Sequence, residues 1–195
     1  RLFRGQTAIA ENDNWQAGNC GAEATAGLRP TDPREACLVA TLTPGPYTAI
    51  VDDAAGRTGI ALVEVFHSGG AGTLSNISTR GMVRLGDDVM IGGFIVRDHP
   101  RKLVVRARAG SLAAAGVPDL LPNPRLRLFS GQSVIAQNDD WQAGNCGAEA
   151  PAALRPTDPR EACVAITLPP GSYTGIVDDT AGRTGIALGE VFASD

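Results

Sequence analysis

Lysine is almost missing from this chain: Lys102 stands alone against sixteen arginines, a skew of composition rather than of chemistry. Histidine occurs twice, at His67 and His99, and aromatic residues make up 5% of the 195 positions. HExxH, GxSxG and phosphate-loop patterns are all absent. Gly110-Ser111-Leu112 lacks the second glycine of a nucleophile elbow. Close carboxylates occur at Asp52-Asp53, Asp87-Asp88 and Asp178-Asp179, as neighbours in sequence. Adjacent side chains on a strand point to opposite faces, so these are not acid/base pairs. The expectation is a protein that is not an enzyme. No apolar run approaches the roughly 18 residues that a membrane helix needs. A net charge of −4 argues against nucleic acid or anionic membrane as a partner.

What is present is a globular composition, 43% apolar and 19% charged, rich in turn formers with 24 Gly and 13 Pro. It is organised as a repeat. RLFRGQ at 1–6 returns as RLFSGQ at 127–132, WQAGNCGAEA at 15–24 returns at 141–150, and LRPTDPREAC at 28–37 returns at 154–163. IVDDAAGRTGIAL at 50–62 returns as IVDDTAGRTGIAL at 176–188. The offset is constant without a gap, and about 51 of 66 aligned positions are identical, as tandem duplication leaves them. We call this unit A and the unrelated segment between the copies, 67–126, unit B. The order A–B–A divides the chain into 1–66, an incomplete sandwich or small β-domain, and 67–195, a complete one. One B plus one A is an ordinary domain size. Because the chain opens at Arg1, already inside an A unit, it is expected to be either part of a longer array or a processed subunit.

Strand signals dominate. Leu103, Val105 and Ala107 alternate with Arg106 and Arg108, the period of a half-buried strand. Strands are expected in the first A unit near 1–4, 7–11, 37–42, 46–52 and 59–66, and at the same places in the second. Unit B adds strands near 73–79, 82–84, 88–97 and 102–109, and one helical turn within Ser111–Leu121. Short strands separated by turns point to an all-β fold of tandem jelly-roll-like β-sandwich modules built from a duplicated unit.

Each A unit holds two cysteines. Four cysteines allow three pairings, and the duplication selects Cys20–Cys37 and Cys146–Cys163. A closed loop of this size contributes about 3 kcal/mol in the chain-entropy view. Zinc is the weaker reading, because no CxxC is present and both histidines lie outside the repeat. Disulfides place the protein outside the cell or at its surface. They would also tether the long loop from Asn12 to Glu35, which differs between copies only at Thr25/Pro151 and Gly27/Ala153.

Four further features are candidate sites. Asn12, Asp13, Asp52 and Asp53, with Asn138, Asp139, Asp178 and Asp179, offer oxygen ligands at strand ends and make calcium the one candidate cofactor. Asparagine and aspartate also simply favour turns. Asn76-Ile77-Ser78 is an N-glycosylation pattern. Trp15 and Trp141, both within the repeated loop, would pack on the disulfide or meet a sugar ring or a neighbouring subunit. Arg101, Lys102, Arg106, Arg108, Arg125 and Arg127 would form a basic stripe, either a solvated face or a contact for an acidic surface.

Several stretches carry a family likeness. Ile9-Ala10-Glu11-Asn12-Asp13, the LTPGPY run from Leu42 to Tyr47, Thr48-Ala49-Ile50-Val51 and the closing Gly59 to Phe66 resemble the bacterial pre-peptidase C-terminal type of β-sandwich. Asn76 to Gly81 followed by Ile91 to Val96 looks like modules repeated in large secreted bacterial surface proteins. The resemblance implies a jelly-roll-like sandwich, secretion and an accessory or surface role. Calcium is variable in that family and attaches, if anywhere, to the Asn12/Asp13 and Asn138/Asp139 positions. The cysteine-bearing loop fits neither pattern.

Two functions follow as expectations. In one, the chain is a structural subunit of an extracellular fibre or surface assembly. An A unit without a B leaves an open sheet edge, and copies of the chain would polymerise head-to-tail by strand complementation. In the other, it is a carbohydrate-binding or adhesive accessory module of a larger secreted protein, calcium-dependent in one form, with glycans as partners.

Overall fold

The computed structural model describes residues 1–194. The chain divides into two compact units, after Thr73 rather than after Phe66.

The first unit has one small sheet. Strands β1 (Leu2–Arg4), β2 (Thr7–Ala10) and β3 (Thr48–Ala49) lie in the antiparallel order β2-β1-β3. Between β2 and β3 runs the cysteine loop, with short 3₁₀ turns at Trp15–Ala17 and Ala26–Leu28 around a single α-turn, α1 (Cys20–Glu23).

The second unit has eight strands: β4 (Asn76–Val83), β5 (Met90–Val96), β6 (Arg101–Arg108), β7 (Pro124–Ser130), β8 (Ser133–Asn138), β9 (Ala162–Leu168), β10 (Gly171–Asp179) and β11 (Gly185–Ala193). They form two four-stranded antiparallel sheets, ordered β5-β10-β7-β8 and β4-β11-β6-β9. The fold is all-β. The two sheets face each other across one core, in which Leu126, Leu128, Tyr173 and Val177 of one sheet meet Val83, Val105, Val164 and Ala187 of the other. Pattern explains register here: in β10, Tyr173, Val177 and Asp179 are buried while Thr174, Ile176 and Asp178 are half-exposed. The second cysteine loop repeats the first, with α2 (Cys146–Glu149) between 3₁₀ turns at Trp141–Ala143 and Ala152–Leu154.

In unit B the two expected strands near 73–79 and 82–84 form one, β4. The helical turn is a 3₁₀ helix at Gly110–Ala115. The largest departure lies in the first A unit. Strands are absent at 37–42 and 59–66, and the expected strand over 46–52 is reduced to Thr48–Ala49.

Sheet order supplies the reason. In the second copy, β9 has one partner, β6, and β11 lies between β4 and β6. All three of those pairings use unit B. The other sheet takes one whole strand from B, its edge strand β5, and the first three residues of β7. With B removed, β9 and β11 lose every hydrogen-bonded neighbour, while β10-β7-β8 stay contiguous. That remnant is the first copy's sheet, β3-β1-β2, in the same register: Phe3 faces Ala8 and Thr48, as Phe129 faces Val134 and Thr174. Both copies even carry their irregularity at the same place, Leu2/Phe3 and Leu128/Phe129.

Matched leucines test this difference. Leu168 is 3% exposed and its counterpart Leu42 is 44% exposed. Leu168→Ala should cost about 2–5 kcal/mol in urea unfolding followed through Tyr173, and Leu42→Ala less than about 0.5 kcal/mol. Equal losses would show that the first copy is packed like the second.

Candidate functional site

The cysteine loop is built by short-range chemistry in both copies. Cys20–Cys37 and Cys146–Cys163 are disulfides with Cα separations of 5.8 and 5.7 Å. Asn12 Oδ1 accepts from the Cys37 amide at 2.9 Å, and Asn138 Oδ1 from the Cys163 amide at 2.8 Å. Asn19 and Asn145 each grip one residue of the segment beyond: their Nδ2 groups donate to the Val39 and Ala165 carbonyls, and their Oδ1 atoms accept from the same residues' amides. A side-chain amide thus stands in for a neighbouring strand. Gly18 and Gly144 make room for this, since a Cβ there would lie 2.7 and 2.9 Å from Nδ2 of Asn12 and Asn138.

These contacts reassign the oxygen-rich positions. Asn12 and Asn138 staple the loop. Asp52 pairs with Arg1, Asp53 with Arg57, Asp178 with Arg125 and Arg127, and Asp179 with Arg183 and the Asn123 amide. Asp139 lies within electrostatic reach of Arg125, the partner of Asp178. Among the described residues, no three acidic, histidine or cysteine groups converge as metal ligands. Asn76 opens β4, is exposed, and donates to Ser78 Oγ at 3.1 Å. Trp15 and Trp141 lie over their own loops, each ring 3.8 Å from where a Cβ on Gly21 or Gly147 would sit. Both indole N–H groups are buried without a partner. Trp141 packs beside the buried Cys146–Cys163 bridge, so its ring is part of the loop's packing.

The basic stripe does not form as a solvated face. Strand β6 is buried on both sides from Leu103 to Ala107. The second cysteine loop covers its outer face: Val104 packs with Cys146, Ala150, Cys163 and Ala165. Arg106 is enclosed there, 2.6 Å from Glu190, donating to the Leu154 carbonyl at 2.7 Å and lying over the Phe192 ring. Burial pulls the Arg106 pKa down and Glu190 opposes it. Nearby, fully buried Glu161 accepts through Oε1 from the Ala109 amide, the Ser111 amide and Ser111 Oγ, at 2.9, 2.9 and 2.6 Å. Arg125 and Arg127 are spent on Asp178. Sequence reasoning missed Glu161 and Glu190. Their signal was available as two carboxylates repeated at Glu35 and Glu64, one beside and one within an apolar run.

The first copy presents these groups uncovered. Glu35 and Glu64 are exposed where Glu161 and Glu190 are buried. Val51 is 59% exposed against 3% for Val177, and Ile60 and Leu62 are 87% and 81% exposed. The segments 36–42 and 59–66 therefore make an apolar, strand-patterned and unpaired surface. It is the one place in the described residues where chemistry repeated in the chain is satisfied once and left unsatisfied once.

No protein-family model matches the chain, and no curated protein matches its sequence. Among solved structures it is similar to the pre-peptidase C-terminal domain of a collagenase from Bacillus anthracis. Identity is 13%, over 60% of this chain and 88% of that one, with a TM-score of 0.38. So distant a likeness does not bear on chemistry, and the all-β assignment rests on the strands themselves.

Two outcomes follow from the buried charges. Removing one member of the Arg106–Glu190 pair, as in Glu190→Leu, should destabilise the second unit by about 3–5 kcal/mol, and adding Arg106→Met should restore much of the loss. Additive losses in denaturant titrations would refute the pairing. Burial pushes the Asp178 carboxyl up, but Arg125 and Arg127 outweigh it and hold it below its ordinary value. Asp158 is likewise lowered, through its hydrogen bond with Arg160. The stability these carboxylates contribute is complete above the unfolded carboxylate pKa near ~3.9 and fades as pH falls through the lower folded values. Asp178→Asn should lower the melting temperature at pH 7 and flatten its decline below about pH 4; an unchanged acid limb would contradict this.

Proposed function

We propose that this chain has a structural role, as a building block of an extracellular fibre or surface assembly made from repeated sandwich modules. One observation carries the reading: the same 66-residue unit is closed into a core in one copy and left with unpaired strand segments in the other. Unpaired strand segments with apolar side chains are a template for added strands. The first copy is an acceptor that strands from outside these 195 residues complete.

Further features support the reading. Numbered within the second unit, its sheets run 1-8-3-6 and 2-7-4-5, an interleaving that favours the jelly-roll form of sandwich. Two disulfides with no free cysteine among the described residues fit an oxidising, extracellular setting. No helix among the described residues is long and apolar enough to cross a membrane. The tryptophans lie over their own loops and Asp52, Asp53, Asp178 and Asp179 pair with arginine, so the assembly reading draws on the open first copy rather than on these residues.

Sedimentation velocity separates the outcomes. The full chain should associate increasingly between about 1 and 100 μM and bind a dye for exposed apolar surface. Residues 74–195, which hold the complete two-sheet core, should stay monomeric and bind little dye. A full chain that stays monomeric with no excess dye binding would overturn the acceptor reading.

A further inference from the structure

Resting on that reading, we infer that the occupant of the first copy is a second B-type segment, in the position ahead of Arg1 that unit B holds ahead of the second copy. It contributes three strands in a fixed register.

The register comes from the completed copy. There β6 pairs along β9 from Ala107↔Ala162 to Arg101↔Leu168, and along β11 through Arg106↔Glu190 and Val104↔Phe192. Transferred by the repeat offset, the incoming β6-type strand lies between Ala36–Leu42 and Leu62–Phe66. Its Arg106-type residue meets Glu64, and the amides and hydroxyl of its Ala109–Ser111-type turn meet Glu35. An incoming β4-type strand covers the other edge of Gly59–Phe66, and a β5-type strand extends the existing sheet along Gly45–Val51.

Residues 1–195 hold no spare B to donate to a second molecule. They contain two A units and one B, and that B already covers the second A. Exchanging this B between molecules leaves as many A units open as before and buries no additional surface. The occupant is therefore a B in addition to the one at 67–126.

The differences between copies refine its sequence. Val63 replaces Gly189, and a Cβ at Gly189 lies 3.4 Å from Met90 Sδ and 4.0 Å from Val177 Cγ2. A valine there needs more room than the Met90 thioether leaves. In the matching B-type segment the side chain at the Met90 position is therefore smaller or turned aside. Pro46 replaces Ser172, which removes one backbone donor at the start of the β5-type pairing and shortens it at that end.

The test places a second copy of residues 67–126 ahead of Arg1 in the full chain and reads amide hydrogen exchange by mass spectrometry on the monomer. Peptides spanning 37–42 and 59–66 should slow at least 100-fold relative to residues 1–195 alone. Met90→Ala in the added copy should slow them at least as much. Arg106→Glu in the added copy should abolish the gain while peptides from 162–193 stay protected. Fast exchange of 59–66 in both the Met and Ala forms overturns the inference, and so does protection that survives Arg106→Glu. Protection that instead rises with concentration of the unmodified chain would assign the face to a second copy. Because these readings are made on the extended monomer, they stand apart from the self-association of 1–195. Failure of association alone would strike the assembly role and not the identity of the occupant.

Discussion

Strand β6 is hydrogen-bonded along both edges, to β11 on one side and β9 on the other, and it is buried on both faces. A strand in that position satisfies two neighbours' backbone groups at once, groups that would otherwise face solvent or stand unpaired. Its apolar inner side chains join the inter-sheet core, and its outer face receives the disulfide loop. The two sheets, the loop's seat and the buried ion pair all depend on unit B delivering this one strand between two strands of unit A. The first copy shows what unit A retains without it: a three-stranded remnant and a cross-linked loop.

The buried charges turn this dependence into recognition. Glu161 and Glu190 are costly in an apolar interior unless paired, and unit B supplies their partners: Arg106 and Arg108, the Ala109 and Ser111 amides, and the Ser78 and Ser111 hydroxyls. A strand of merely apolar pattern would leave both carboxylates unsatisfied. Unit A is thus selective for a basic residue at one position and a tight turn at another, which ties register to chemistry. That selectivity explains one glutamate just ahead of the first unpaired segment, Glu35, and another inside the second, Glu64.

Much of the architecture was readable from residues alone. The duplication, the disulfide pairing it selects, and most strands of the second unit follow from spacing and alternation. The segments 37–42 and 59–66 keep the apolar character of β9 and β11, the second with one change in eight residues, yet no sequence pattern states that both of their neighbours come from a segment present once. Pairing is a property of the sheet, and local propensity is silent about it. Arg106 misled for a related reason: alternation marks a face, and a cysteine loop some forty residues away decides whether that face is wet. In the Asn-Asp clusters, oxygen atoms at turns look alike in sequence whatever they bind. The structure shows Asn12 and Asn138 stapling the loop, and Asp53 and Asp178 pairing with arginine.

The duplicated phenylalanines offer the most direct measurement. With fluorinated phenylalanine incorporated throughout, and Phe66→Leu and Phe192→Leu variants to assign the lines, the ¹⁹F spectrum of dilute protein compares one position in two settings. Phe192 packs with the cysteine loop beneath the Arg106 guanidinium; Phe66 is 46% exposed. The account predicts a displaced line for Phe192 and a narrow line for Phe66 at the position of the unfolded chain. Two displaced lines in the monomer would contradict it, because the first copy would then have closed its core without a second B.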